Sequence, residues 1–140
     1  MELIPYFHVL VGILIFIVGF IFHWVGQLIS VLNWDYATRI GLQEKRMLPE
    51  FKVYEHAIAV ADVSIGWIYG IVAIGLILDL PWAFKLAWIP GVILVYHSLS
   101  YWFWIGNQNK LGHNTNTERF RIIWFFSNFI TGILAIAIAW

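Results

Sequence analysis

The sequence predicts an all-α, polytopic membrane protein in which four transmembrane helices form a single bundle. Hydrophobic residues make up 61% of the chain and charged residues only 11%, whereas about a quarter of the residues in soluble domains are charged. The apolar residues are gathered into four long runs, each close to or above the ~20 residues that cross a bilayer as a helix. Strands of a membrane barrel would run to ~10 residues and alternate in polarity. We therefore expect one domain over residues 1–140, integral to the membrane and multi-pass.

The four runs give the expected helix positions, which are about 5–33, 57–78, 86–105 and 122–140. No basic residue precedes the first run, which far exceeds the roughly 7–15 apolar residues of a signal peptide. We expect it to be a membrane helix. Residues 34–56 form the one long hydrophilic connection, and we expect a short interfacial helix within it, at about 41–47.

Basic residues predict how the bundle is oriented. Between the first two runs lie Arg39, Lys45, Arg46 and Lys52, and between the last two lie Lys110, Arg119 and Arg121. The remaining connection contains only Lys85. Because connections rich in Lys and Arg stay in the cytoplasm, we expect both basic connections there and both termini on the non-cytoplasmic side.

Net charge and cysteine content exclude several kinds of partner and site. The formal net charge is zero and the chain contains no Cys. Nucleic acid is not an expected partner, since its binding requires a basic surface. The lack of Cys excludes disulfides, thiolate metal sites and iron–sulfur ligation.

The stretch AIAVADVSIGW, residues 57–67, places a carboxylate inside an apolar run. Asp62 lies six residues beyond His56, which is about 9 Å at the helical rise of ~1.5 Å per residue. His23, His97 and Asn128 lie at nearly the same depth on the other three helices. Because an ionisable group facing lipid costs from ~3 to over 10 kcal/mol, we expect these side chains to face the bundle interior and approach one another.

Helical phase supports this polar layer. Gln27 follows His23 by one turn, and Glu55 precedes Asp62 by two turns, so each pair shares a helix face. We expect functional roles for Asp62 and His97. Simpler interpretations remain open, because Asn128 suits an interhelical hydrogen bond and small-residue faces suit helix packing.

Several motifs carry a resemblance to a known family. FHWVGQ contains His23 and Gln27, EHAIAVADVSIGW contains Glu55 and Asp62, and VYHSLSYW and ERFRIIWFFSNF follow in the last two helices. Over about residues 15–138 the chain resembles the emopamil-binding (EXPERA) family of four- or five-helix membrane proteins, which includes sterol isomerases and non-enzymatic sterol or drug binders. Gln27 stands where the family has an acid, and the termini expected outside differ from the family's usually cytoplasmic C-terminus.

The resemblance implies a chamber that binds a lipid-like sterol or isoprenoid, with membrane lipids as the other partners and no cofactor. An isomerisation in this chamber would need a proton donor and an acceptor, for which the candidates are Asp62, His97, His23 and Glu55. Further ligand contacts are expected from Gln27, Asn128, Trp67, Tyr101 and Trp124. Because Gln27 cannot transfer protons, the sequence leaves a binder and an enzyme equally open.

Two other functions remain open from the residues themselves. His23 and His97 on different helices are the minimum for bis-imidazole ligation of a haem, and adding Asp62 gives a set that can hold Fe(II). The chain would then be a membrane subunit of a redox or metalloenzyme complex. Alternatively, it is a structural subunit whose polar layer fixes helix register, either in a homo-oligomer or in a larger membrane assembly.

Overall fold

The computed structural model describes residues 6–45, 47–113 and 118–140. These residues include four helices long and apolar enough to cross a membrane and contain no strand, which confirms the predicted all-helical class with four candidate membrane spans. The elements in chain order are α1 (Phe7–Leu32), the short α2 (Trp34–Arg39), α3 (Pro49–Ile77), α4 (Pro81–Lys110) and α5 (Glu118–Ile138).

The observed helices extend past the apolar runs at several ends. α3 begins at Pro49 and α4 at Pro81, in both cases ahead of the expected first residue. Proline suits the first turn because its fixed φ is helical and its missing N–H has no intrahelical partner there. α5 likewise begins early, at Glu118. Hydropathy detects only the apolar part of a helix, so it missed these polar first turns. Pro5, the expected start of the first helix, lies outside the described residues.

The prediction of an interfacial helix at 41–47 is wrong, because the short helix is α2. The Asn33 side chain accepts a hydrogen bond from the Tyr36 backbone N–H at 2.9 Å, which caps the start of α2. Gly41 then adopts a φ of +84°, a left-handed conformation that ends helices and favours glycine. The connection turns back towards the bundle at this point. Arg46 lies outside the described residues.

α1 occupies a central position, since it packs against both α3 and α5, while α4 and α5 form a closely packed hairpin. The hairpin is tightest where Gly91 meets Gly132. A Cβ atom placed on Gly132 would lie 2.7 Å from the Gly91 carbonyl oxygen and 3.0 Å from the Val95 backbone nitrogen. Small residues therefore allow the two backbones to touch, as is usual between membrane helices.

Two helices are irregular near the polar layer. The middle of α1, Ile15–Val25, is a π-helix, and α3 is interrupted at Gly66. The indole N–H of Trp24 donates to the Val63 carbonyl at 3.0 Å, and that of Trp67 donates to the Ser64 carbonyl at 3.0 Å. Side-chain donors thus satisfy carbonyls beside the interruption, as an apolar environment requires.

The bundle has an apolar half and a polar half. The end at which α1 begins and α5 ends is filled by aliphatic side chains such as Val11, Ile15, Val72 and Leu76. Towards the other end, the buried residues include His23, Ser30, Asp62, Gln108 and Asn128. We call this second end the connection end, because the α1–α3 and α4–α5 connections lie there. A candidate site is therefore confined to the connection half of the bundle.

Candidate functional site

Four polar side chains, one from each long helix, meet inside the bundle. Nε2 of His97 on α4 lies 3.0 Å from Oδ1 of Asp62 on α3, and Nε2 of His23 on α1 lies 2.6 Å from Oδ1 of Asn128 on α5. The centroids of the two imidazole rings are 4.7 Å apart. The predicted convergence of His23, Asp62 and His97 is confirmed, and we call these three residues the histidine–carboxylate cluster.

The hydrogen bonds of Asn128 define the state of the His23 ring. The Asn128 amide nitrogen donates to the Trp124 carbonyl at 2.7 Å, so its oxygen faces His23 and acts as an acceptor. Nε2 of His23 must then carry the proton that it donates. In a neutral ring, this arrangement leaves Nδ1 with a free lone pair for a proton or a metal.

Both oxygens of Asp62 accept hydrogen bonds. Oδ1 accepts from His97, and Oδ2 accepts from the Gln27 amide nitrogen at 3.2 Å. Asp62 is only 8% exposed. A carboxylate at this depth requires donors or a counter-charge, and these two contacts from α4 and α1 supply them.

A relay of amide side chains continues from Asp62 to the connection end. The Gln43 amide nitrogen lies 3.4 Å from Oε1 of Gln27 and 3.1 Å from Oγ of Ser30, and Ser30 donates to the Gly26 carbonyl. Each amide donates in the direction of Asp62. Sequence reasoning missed Gln43 because it lies in a hydrophilic connection, where helical depth cannot be counted.

A cavity of about 720 Å³ adjoins the cluster, within the usual range of roughly 300–1,000 Å³ for small-molecule sites. His23, Gln27, His97 and Glu55 all line it. Asp62 is not among the described residues of the wall. It contacts two residues that are, His97 and Gln27. The aromatic residues of the wall are Phe22, Tyr54, Tyr96, Tyr101, Phe103, Trp104, Phe120 and Trp124.

The structure places only some of the predicted ligand contacts in the cavity wall. Tyr101 and Trp124 line the cavity, and the Trp124 ring centroid lies 5.0 Å from that of His23. Asn128 is fully buried and holds His23 in place. The structure does not bring Trp67 to this site, because its side chain is 50% exposed and its indole N–H bonds the Ser64 carbonyl.

Tyr69 is a neighbour to which the sequence assigned no role. Its ring centroid lies 6.2 Å from that of His23, and the residue is 2% exposed. The hydroxyl has no hydrogen-bond partner among the described residues. A buried hydroxyl without a partner costs about 1–3 kcal/mol, and Tyr69 is not among the described residues of the cavity wall. The only signal in the sequence was its position two turns from Asp62 on the same face.

The fold and the site together define the class of protein. It is a bundle of four helices that are long and apolar enough to cross a membrane, with a buried histidine–carboxylate cluster beside an aromatic cavity. Comparison of the chain with protein-family models, with curated proteins and with solved structures finds no match.

Proposed function

We propose that the protein binds a lipid-like amphiphile, such as a sterol or an isoprenoid, in the cavity at the connection end. The observation that carries this proposal is the position of the two imidazoles in the wall of an otherwise mainly aromatic and apolar cavity. An amphiphile would place its ring system or chain against the aromatic residues and its polar group against His23 and His97. The EXPERA resemblance supports the same ligand class.

The outer surface of the cavity wall supports entry from the bilayer. Five large aromatic or aliphatic wall residues are at least half exposed, with exposed fractions of 51% for Phe22, 53% for Tyr54, 62% for Tyr96, 64% for Phe103 and 56% for Ile123. Each therefore borders both the cavity and the surface of the bundle. An apolar ligand dissolved in the membrane could reach the cavity between such side chains without crossing water.

The cluster also has the groups that a double-bond shift requires. A protonated His97 would donate a proton to one carbon of the double bond, and the Nδ1 lone pair of His23 would accept a proton from a carbon next to the resulting cation. The double bond moves by one position, and the ligand neither gains nor loses atoms. Asp62 would act as a positioning residue, because it contacts His97 and fixes the orientation of its imidazole ring. Glu55, which lines the cavity, is a further candidate proton donor or acceptor.

Binding can be tested with purified protein in nanodiscs and two fluorescent probes, a sterol analogue and a long-chain amine. Energy transfer from tryptophan would report binding, since Trp104 and Trp124 line the cavity. Ser100 also lines the cavity, and Ser100→Phe should weaken binding about tenfold or more because the added ring overfills the space. Ser64→Phe is the matched control, since Ser64 is exposed on α3.

Saturable binding that is lost in Ser100→Phe and kept in Ser64→Phe supports the proposal. Equal affinity of both variants, or transfer that never saturates, contradicts it and favours a structural role for the polar layer. Activity requires a separate assay, in which a shifted double bond in the recovered sterol is detected by mass spectrometry after chromatography.

A further inference from the structure

We propose that the histidine–carboxylate cluster binds one divalent transition-metal ion, with His23, Asp62 and His97 as its protein ligands. This inference goes beyond the proposed function, and it does not rest on an amphiphile being bound. One ligand atom from each of the three residues can be chosen so that all three lie within 4.8 Å of one another.

The distances suit a single ion. First-row metals bind imidazole nitrogen and carboxylate oxygen at about 2.0–2.2 Å, so two ligand atoms at right angles are about 3 Å apart and two opposite ones about 4 Å apart. Nε2 of His97 and Oδ1 of Asp62 are already 3.0 Å apart. In a set of three ligands at right angles every pair is about 3 Å apart, so the longest separation, of up to 4.8 Å, must shorten by as much as about 2 Å, shared between two side chains through their torsions.

The hydrogen bonds around the cluster orient the ligands as metal sites require. Nε2 of His23 donates to Asn128, which leaves Nδ1 as the ligand atom. Oδ2 of Asp62 accepts from Gln27, which leaves Oδ1 towards His97. Metal-binding histidines typically donate their second N–H to a fixed acceptor, and ligating carboxylates are similarly held. On binding, the ion would replace the proton between His97 and Asp62, and that proton would move to Nδ1 of His97 or to solvent.

The donor set indicates which ion is suitable. Two neutral imidazoles and one carboxylate favour Fe(II), Co(II), Zn(II) or Mn(II), and a facial set of three ligands leaves coordination positions open. His23 and His97 line the cavity, so the open positions would face it. The cavity wall also includes the carboxyl groups of Glu44 and Glu55, which, when ionised, would offset the positive charge left by a divalent ion and one carboxylate.

A haem fits this arrangement less well than a single ion. In bis-imidazole ligation the porphyrin lies between the two histidine rings. Here the ring centroids of His23 and His97 are only 4.7 Å apart, and the rings are tilted by 41°. The spacing therefore favours a small ion over the macrocycle that the sequence left open.

The inference can be tested by titrating the purified, tag-free and chelator-treated protein with Co(II) alone in detergent, without the sterol or amine probe. We expect one Co(II) per chain by equilibrium dialysis, visible d–d absorption and a raised thermal midpoint. Asp62→Asn and His97→Gln keep size and polarity but should lower Co(II) affinity at least a hundredfold. Asn128→Ala should lower it about 10–100-fold, as for other residues that orient metal ligands.

His8 provides the matched control, because it lies 3.9 Å from Asp79 as a second His–Asp pair at the opposite end of the bundle. His8→Ala should leave the affinity and the stoichiometry unchanged. Each variant is first checked for the parent's elution volume and helical circular dichroism. If folded Asp62→Asn and His97→Gln bind Co(II) as the parent does, or the parent binds none at 1 mM (about −4 kcal/mol), the inference fails. Because neither the sterol nor the amine probe is present, neither result depends on the binding of these probes.

Discussion

The carboxylate of Asp62 and the imidazole of His97 join α3 to α4 across 3.0 Å. Near the opposite end, the same helices approach closely enough that a Cβ atom on Gly75 would lie 2.6 Å from that of Ala83. Towards the connection end, side chains span the gap instead: the Asp62–His97 pair and the stack of Tyr54 on Trp104, whose centroids are 5.5 Å apart. The cavity occupies space that these helices leave between them. The Asp62–His97 pair therefore holds α3 and α4 together beside the cavity and is also a candidate reactive group.

Replacement of Asp62 should separate cationic from apolar ligands. Asp62→Asn keeps an acceptor for His97 but removes the negative charge behind the cavity wall, so a long-chain amine should lose roughly 1–3 kcal/mol of binding free energy through the lost Coulomb attraction. A sterol without charge should lose much less. Titration of both probes in nanodiscs measures the difference, and Asp79→Asn, an exposed carboxylate at the other end, is the control. Equal losses for both probes would contradict a charge effect.

The same variant tests catalysis if an isomerase activity is found. Loss of the group that positions a general acid should lower turnover by ~10²-fold or more while the affinity for a neutral substrate changes little. Kinetics that separate kcat from KM provide the measurement. A variant that loses affinity and keeps turnover would show that Asp62 supports binding alone.

The unpartnered hydroxyl of Tyr69 predicts different effects on stability and binding. Without ligand, Tyr69→Phe removes an unsatisfied buried group and should leave the free energy of unfolding unchanged or raise it by up to ~1 kcal/mol. Because Tyr69 is not among the described residues of the cavity wall, the same change should leave sterol binding nearly unchanged. Thermal unfolding with and without the sterol probe measures both effects. A lower midpoint without ligand would indicate a hydrogen bond that the structure does not show.

The contact between Gly91 and Gly132 should be sensitive to a single methyl group. Gly132→Ala places a Cβ atom 2.7 Å from a backbone oxygen, and overpacking of this kind costs about 1–3 kcal/mol. Gly26→Ala is the matched control, since its Cβ atom would meet only Leu42, at 3.9 Å. Unfolding in mixed detergent micelles gives the two free energies. Equal stability of the two variants would be inconsistent with the close approach of α4 and α5.

The orientation of the bundle remains a prediction that labelling can test. The chain contains no Cys, so single cysteines can be added without a background. Ile40→Cys and Leu111→Cys, at positions 49% and 64% exposed, should react with a membrane-impermeant maleimide only from the cytoplasmic side. Lys85→Cys should react only from the other side, and removal of this lysine cannot weaken the predicted charge asymmetry. Labelling of Ile40→Cys and Leu111→Cys from opposite sides would refute the topology.

The sequence by itself determined the fold class and the level of the polar layer. Apolar runs of sufficient length must become helices in a membrane, since lipid offers no partners for an unpaired backbone. The cost of exposing a charge to lipid likewise requires Asp62 to face inwards, and helical rise places His23, His97 and Asn128 at its depth. These are local constraints, which can be read from residue type and spacing.

Only the tertiary structure decided which atoms meet and which groups reach the cavity. Helical depth could not show that His97 faces the cavity while Asp62 lies outside its wall, because rotation about each helix depends on contacts with its neighbours. The π-helix of α1 and the interruption at Gly66 alter that rotation locally. Trp67 lies outside the site because its indole satisfies a carbonyl freed by this interruption, and Gln43 joins the site because the chain turns back at Gly41. Both outcomes depend on distant or irregular backbone contacts, which periodicity in the sequence does not encode.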